Sequence, residues 1–94
     1  MIDIQQKDNG RNGYFEALID GNYAGAMTYT WAGEDKFIID HTEVMDEYNG
    51  QGIGKQILLK VVDFARKKEV KIIPLCPFAK GQFAKHPEFQ DVLY

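Results

Sequence analysis

Three groups of residues in this 94-residue chain have types and spacings that could do chemistry. The first is the run Asn49, Gly50, Gln51, Gly52, Ile53, Gly54 and Lys55, with glycine at alternate positions. Glycine lets a backbone approach a bound group without a Cβ in the way, and it adopts the left-handed angles of a tight loop. Where such a run opens a helix, unpaired first-turn N–H groups and the positive end of the helix dipole form a seat for a phosphate or diphosphate. The alternative is a glycine-rich connector without a ligand. The second group is Cys76-Pro77. Proline drives the residue before it to an extended conformation and is favoured as the first residue of a helix. Cys76 is therefore expected at an N-cap, its sulfur near the helix start, where thiolate is favoured over thiol. Such a thiolate could accept an acyl group covalently; the alternative is a small buried residue, since free cysteine is among the most buried types. The third group is His41 and Glu43. Two apart on a strand, they share a face, expected to include Phe37 and Ile39 as well. Either could remove a proton as a general base, or simply be a polar residue near a strand end. His41 is also a candidate partner for Cys76.

The elements that must position these groups follow from periodicity and turn chemistry. Ile2 and Ile4 alternate with polar residues before the turn Asp8-Asn9-Gly10. Residues 14–19 form an aromatic and aliphatic strand ending at the hairpin signal Asp20-Gly21. Residues 23–31 carry Tyr23, Met27, Tyr29 and Trp31 at two-residue spacing, and residues 36–44 form a fourth strand after the turn at 32–35. From Ile53 the period changes: Ile53, Ile57, Leu58, Val61, Val62 and Ala65 fall on one helical face. A short fifth strand at 70–74 follows, then a helix from Pro77 to His86 stopped by Pro87. A strand, helix, strand succession of this length favours parallel pairing of strands four and five. The chain is thus expected to be a single α/β domain over residues 1–94, with a mixed, mainly antiparallel sheet of about five strands and two helices after the fourth.

Other phosphate motifs fit poorly. Gly54-Lys55 is followed by Gln56, and Asn49 stands where a P-loop has its first glycine. The dinucleotide fingerprint fails at its last step and lies after four meandering strands rather than in a wound α/β half. By contrast, Asn49-Gly50-Gln51-Gly52-Ile53-Gly54 resembles the coenzyme A-binding motif of GNAT-type N-acetyltransferases, Q/R-x-x-G-x-G/A. The resemblance extends through residues 39–44, Pro74-Leu75-Cys76 and His86-Pro87-Glu88-Phe89 to the small single-domain branch of that superfamily.

The resemblance implies a β-β-β-β-α-β-α order without the helices that larger members place between their first two strands. It implies acetyl-coenzyme A as cosubstrate, with Asn49, Gly50, Gln51, Gly52, Ile53, Gly54 and Lys55 around the pyrophosphate and Val44 and Met45 along the pantetheine arm. Asn49 departs from the family's longer Gln or Arg, which puts its side-chain role in question but not the backbone cradle. The implied activity is acetyl transfer to an amine acceptor that the sequence leaves unidentified, either directly or through an acetyl group on Cys76, with His41 or Glu43 as base. The alternative is a coenzyme A-binding sensor or interaction module without catalysis.

Composition narrows the field further. The formal charge is −3 and no block of Lys or Arg runs along the chain, which weighs against nucleic acid as a partner. No apolar stretch approaches a membrane span. A single cysteine and no signal-like start lead to a cytoplasmic expectation. The sequence leaves the oligomeric state open.

Overall fold

The structure is a computed structural model that describes residues 2–94. Five strands form one sheet in chain order: β1 (Ile2–Asp8), β2 (Asn12–Ile19), β3 (Asn22–Trp31), β4 (Lys36–Val44) and β5 (Lys71–Pro74). The first four meander antiparallel, and β5 adds parallel to β4 after the helix α1 (Ile53–Lys68). A second helix, α2 (Pro77–Lys85), and a 3-10 turn (Pro87–Val92) complete the chain. The mainly antiparallel mixed sheet and the order of elements match the expectation, and β1 runs into β2 through a turn at residues 9–11 with no helix between them.

Local chemistry sets the turns. Asp8 Oδ1 accepts from Gly10 N at 2.6 Å, and Asn9 Oδ1 accepts from Arg11 N and Asn12 N at 2.9 Å each, so two side chains bend the β1–β2 link. Asp20 and Gly21 both have positive φ, 51° and 83°, the backbone of the tight primed turn that joins twisted strands. At the end of α1, Glu69 takes a left-handed conformation and Val70 N bonds back to Ala65 O at 3.0 Å. Arg66, Lys67 and Lys68 lie in that last turn, where cations suit the dipole.

The apolar stripe of α1 packs on one face of the sheet. Ile57, Leu58, Val61, Val62 and Ala65 are buried against Phe15, Ala17, Met27, Tyr29, Phe37 and Ile39. The rings of Phe15, Tyr29, Trp31, Phe37 and Phe64 form an aromatic cluster, Tyr29 and Phe37 lying 4.9 Å apart between centroids. Burial of these large side chains supplies most of the driving force in so short a chain. Arg66 ties the C-terminal turn to α1, bonding Asp91 through Nε and Nη2 at 2.9 and 3.0 Å and Glu88 O at 2.9 Å.

Two bulges interrupt the strand alternation. Ala17 faces Gly25 while Leu18 faces Tyr23, which makes Ala24 an extra residue in β3. Thr28 faces His41 while Tyr29 faces Ile39, which makes Asp40 an extra residue in β4. Each bulge switches the side chains beyond it to the other face. The row Tyr23, Met27, Tyr29, Trp31 is therefore split. Met27 and Tyr29 are in the core, whereas Tyr23 lies on the face away from α1. No described helix is long and apolar enough to cross a membrane.

Candidate functional site

β4 changes neighbours along its length. From Lys36 to Ile39 it pairs with β5 on one side and β3 on the other. At Pro74 the parallel ladder stops, because proline has no N–H to donate. Ile39 O then accepts from Leu75 N and Cys76 N, both at 3.3 Å, and β5 turns away into α2. β4 continues alone on that side to Val44, and Met45 N still bonds Ala24 O on β3 at 2.8 Å. A wedge thus opens between the strands beyond Ile39.

The glycine loop stands at the end of this wedge. After Met45 the chain makes a 3-10 turn (Asp46–Tyr48), with Tyr48 N on Met45 O and Asn49 N on Asp46 O at 2.9 and 3.1 Å. Gly50 and Gly52 then have φ of 80° and 72°. Those angles favour glycine, and a Cβ at either position would project into open space. Gly52 is the N-cap of α1, no side chain caps the helix, and no acidic residue lies in its first turn. The first amide in the helical ladder is that of Gln56, on Gly52 O at 3.0 Å. Among the described residues, the N–H groups of residues 50–55 have no protein acceptor. That is the hydrogen-bonding state an anion seat requires.

Gly54 is different. It is helical and buried, and a Cβ there would come within 2.7 Å of the Phe78 ring. The missing side chain makes room for that ring, while the Gly54 N–H stays among the uncommitted amides of the loop. Asn49, Gln51 and Lys55 are exposed around the loop, Ile53 is buried beneath it, and Val44 is half-buried where β4 ends.

Cys76 is the N-cap of α2 with Pro77 at the first helical position, as Cys76-Pro77 suggested. The residue is 5% exposed. Ala79 N donates to Sγ at 3.4 Å, and Thr42 Oγ1 lies 3.2 Å from Sγ, spanning the wedge from β4. Sequence reasoning missed Thr42. A partner one residue beyond His41 could be found only by placing the bulge.

That same bulge corrects the placement of His41 and Glu43. They share a face with each other, but not with Phe37 and Ile39, which are fully buried beneath α1. Thr42, opposite Met27, turns toward the core side and takes the place beside Cys76 that the sequence offered to His41. His41 and Glu43 are exposed on the opposite face. Glu43 Oε2 accepts from the Tyr23 hydroxyl at 2.9 Å. Burial, and then this bond to the carboxylate, push the Tyr23 hydroxyl up to about 12, so it remains a donor at neutral pH.

A four-stranded meander, a glycine loop entering a helix, and a parallel edge strand that splays from its neighbour define a GNAT-like fold. The family model for GCN5-related N-acetyl-transferases matches residues 14–92. A GCN5-like protein from Staphylococcus aureus, known from its solution structure, is 37% identical, with 96% of this chain and 87% of that one covered and a TM-score of 0.71. A GNAT family acetyltransferase from Elizabethkingia anophelis, crystallised with acetyl-CoA bound, shares the fold at a TM-score of 0.72 and 17% identity, over 94% of this chain and 74% of its own. Protein NATD1 of Homo sapiens is 26% identical over 85 residues, 89% of this chain and 75% of that protein. The chain belongs to the GCN5-related N-acetyltransferase family.

Proposed function

We propose that this protein transfers an acetyl group from acetyl-coenzyme A to an amine. The observation that carries this reading is the set of uncommitted N–H groups at residues 50–55, on an uncapped helix N-terminus beside a splayed strand pair. Gly50 and Gly52 hold the backbone in the shape a diphosphate needs, and several charge-assisted bonds of roughly 1.5–3 kcal/mol each would hold one. Asn49, Gln51 and Lys55 flank that seat, and Val44 and Met45 lie where a pantetheine arm would enter the wedge. The cosubstrate supplies an activated acetyl thioester. The protein's part is to align it with the amine and take up the proton the amine must lose before it attacks.

Glu43 and His41 stand on the face that carries no helix, open to an incoming amine, and either could take that proton directly or through water. A second reading rests on Cys76, which Thr42 and Ala79 hold across the wedge. Its thiolate would attack the thioester carbon, expel the coenzyme A thiolate and hold the acetyl group as a new thioester until the amine displaces it.

The test is direct. Coenzyme A should raise the melting temperature, as any ligand selective for the folded state does. Acetyl-coenzyme A should then be consumed in the presence of a suitable amine from a broad panel. No melting shift would remove the reading. A shift without consumption would leave a coenzyme A-binding module. Acetyl on Cys76 by mass spectrometry, with turnover lost in Cys76→Ala, selects the covalent route; its absence with unchanged turnover selects the direct one.

A further inference from the structure

At the end of the molecule remote from the glycine loop lies a cleft of about 610 Å³. Gln6 and Asp8 at the end of β1, Trp31 at the end of β3, Glu34 in the turn that follows, and Phe64 and Lys68 late in α1 line it. β4 starts beside this cleft and ends at the loop. Its nine residues, at about 3.3 Å each, separate the two by roughly 25–30 Å. The cleft is a separate place from the acetyl-transfer wedge, and its size is that of a small-molecule site.

Its polar groups are organised around one carboxylate. Tyr29 donates its hydroxyl to Asp8 Oδ2 at 2.5 Å and accepts from Gln6 Nε2 at 2.8 Å. Trp31 Nε1 donates to the same oxygen at 2.9 Å, and Gly10 N donates to Oδ1 at 2.6 Å. A carboxylate has about four acceptor positions, so these three donors leave one open, on Oδ1. Gln6 commits one N–H to Tyr29 and keeps its carbonyl oxygen. Glu34 adds a second, exposed carboxylate. Against these acceptors the lining offers one cation, Lys68, on the exposed end of α1. The remaining wall is aromatic, the Trp31 and Phe64 rings meeting edge to face at 6.1 Å between centroids.

Acceptors in excess, net negative charge and an indole beside a fixed carboxylate are the chemistry that recognises a cation with an apolar part. We propose that this cleft binds an organic ammonium ion carried on a short apolar body. The charge sits between Asp8 Oδ1, Glu34 and the Trp31 ring, and the body lies along Phe64. Tyr29 and Gln6 act through Asp8, holding it in place as an acceptor.

Trp31 is the single tryptophan of the chain, so its emission reports on the cleft alone. The experiment titrates n-hexylammonium into the protein without acetyl-coenzyme A, with 1-hexanol as the uncharged match. The expected result is a saturable change with the ammonium and binding at least about tenfold weaker for the alcohol. Asp8→Asn should weaken the ammonium by a similar factor. Because Asp8 also bonds Tyr29 and Trp31, Glu34→Gln carries the test independently: with an unchanged melting temperature it should weaken binding several-fold. Lys68→Ala should strengthen it. The proposal is overturned by no saturable change in the native protein, by equal affinity for 1-hexanol, or by indifference to both carboxylate substitutions. Competition between coenzyme A and n-hexylammonium would also overturn it, since that would put the ammonium in the wedge. A coenzyme A-induced melting shift that survives Glu34→Gln keeps this outcome distinct from the fate of the proposed function.

Discussion

The two halves of β4 are built for different ends. From Lys36 to Ile39 the strand is paired on both sides, and Phe37 and Ile39 are fully buried. From His41 to Val44 it has β3 on one side and an opening on the other, and no residue there is fully buried. The first half anchors the core. The second half leaves main chain and side chains accessible, at a cost in stability that the first half offsets. The extra residue Asp40 separates them. It turns Thr42 toward Cys76 and His41 and Glu43 away from it.

Placing a charge in the paired half is the most drastic way to break this division. Ile39→Asp would bury an unpaired carboxylate at a cost of several kcal/mol, and it should abolish the cooperative melting transition. Deletion of Asp40, by contrast, joins Ile39 to His41 and leaves Thr42 opposite Met27, so the transition should survive it. Truncating the first half comes next. Phe37→Ala should cost about 3–5 kcal/mol, read from denaturant midpoints at constant slope. At the far end of the second half, Gly52→Val would place a β-branched residue at a φ of 72°. It should cost about 1–2 kcal/mol in stability and abolish the coenzyme A-induced melting shift; a retained shift would show that the loop is not the anion seat. Within the second half, Thr42→Val removes the hydroxyl beside Cys76 Sγ and should change stability by about 1 kcal/mol or less. It should nevertheless alter the rate of Cys76 alkylation, which Thr42→Ser would restore.

The smallest effect is a pH dependence away from β4. Burial works to raise the Asp8 carboxyl, but the hydrogen bonds from Tyr29, Gly10 and Trp31, with the Lys68 charge, outweigh it and hold the group below its ordinary value of 3.8. The folded state thus binds this proton more weakly than the unfolded chain. The stabilisation is fully present above 3.8 and fades as pH falls through the lower folded value. Thermal melts from pH 6 down to about 2.5 should show the native protein losing its advantage over Asp8→Asn across the acid end of that range.

The sequence was most legible where one local rule decides. Helical spacing from Ile53 to Ala65 located the buried stripe of α1. Pro77 placed Cys76 at an N-cap, and Asp20-Gly21 marked a hairpin. The strand-to-helix position of the glycine run followed from those elements. Reading failed where tertiary pairing decides. Neither Ala24 nor Asp40 has a side chain that announces a bulge, so the period-two rows through Tyr23 and through His41 were carried on too far. The contact of Gly54 with the Phe78 ring had no local signal, because the ring is contributed by a different helix. Thr42 carried no signal at all.

The aromatic ring of Phe78 resting on Gly54 works as a bearing between two short rods. One rod begins at the glycine loop, and the other begins two residues before that ring, at Cys76. A methyl group added at position 54 would meet the ring at 2.7 Å, so the ring or the start of α2 would have to move aside at the mouth of the wedge.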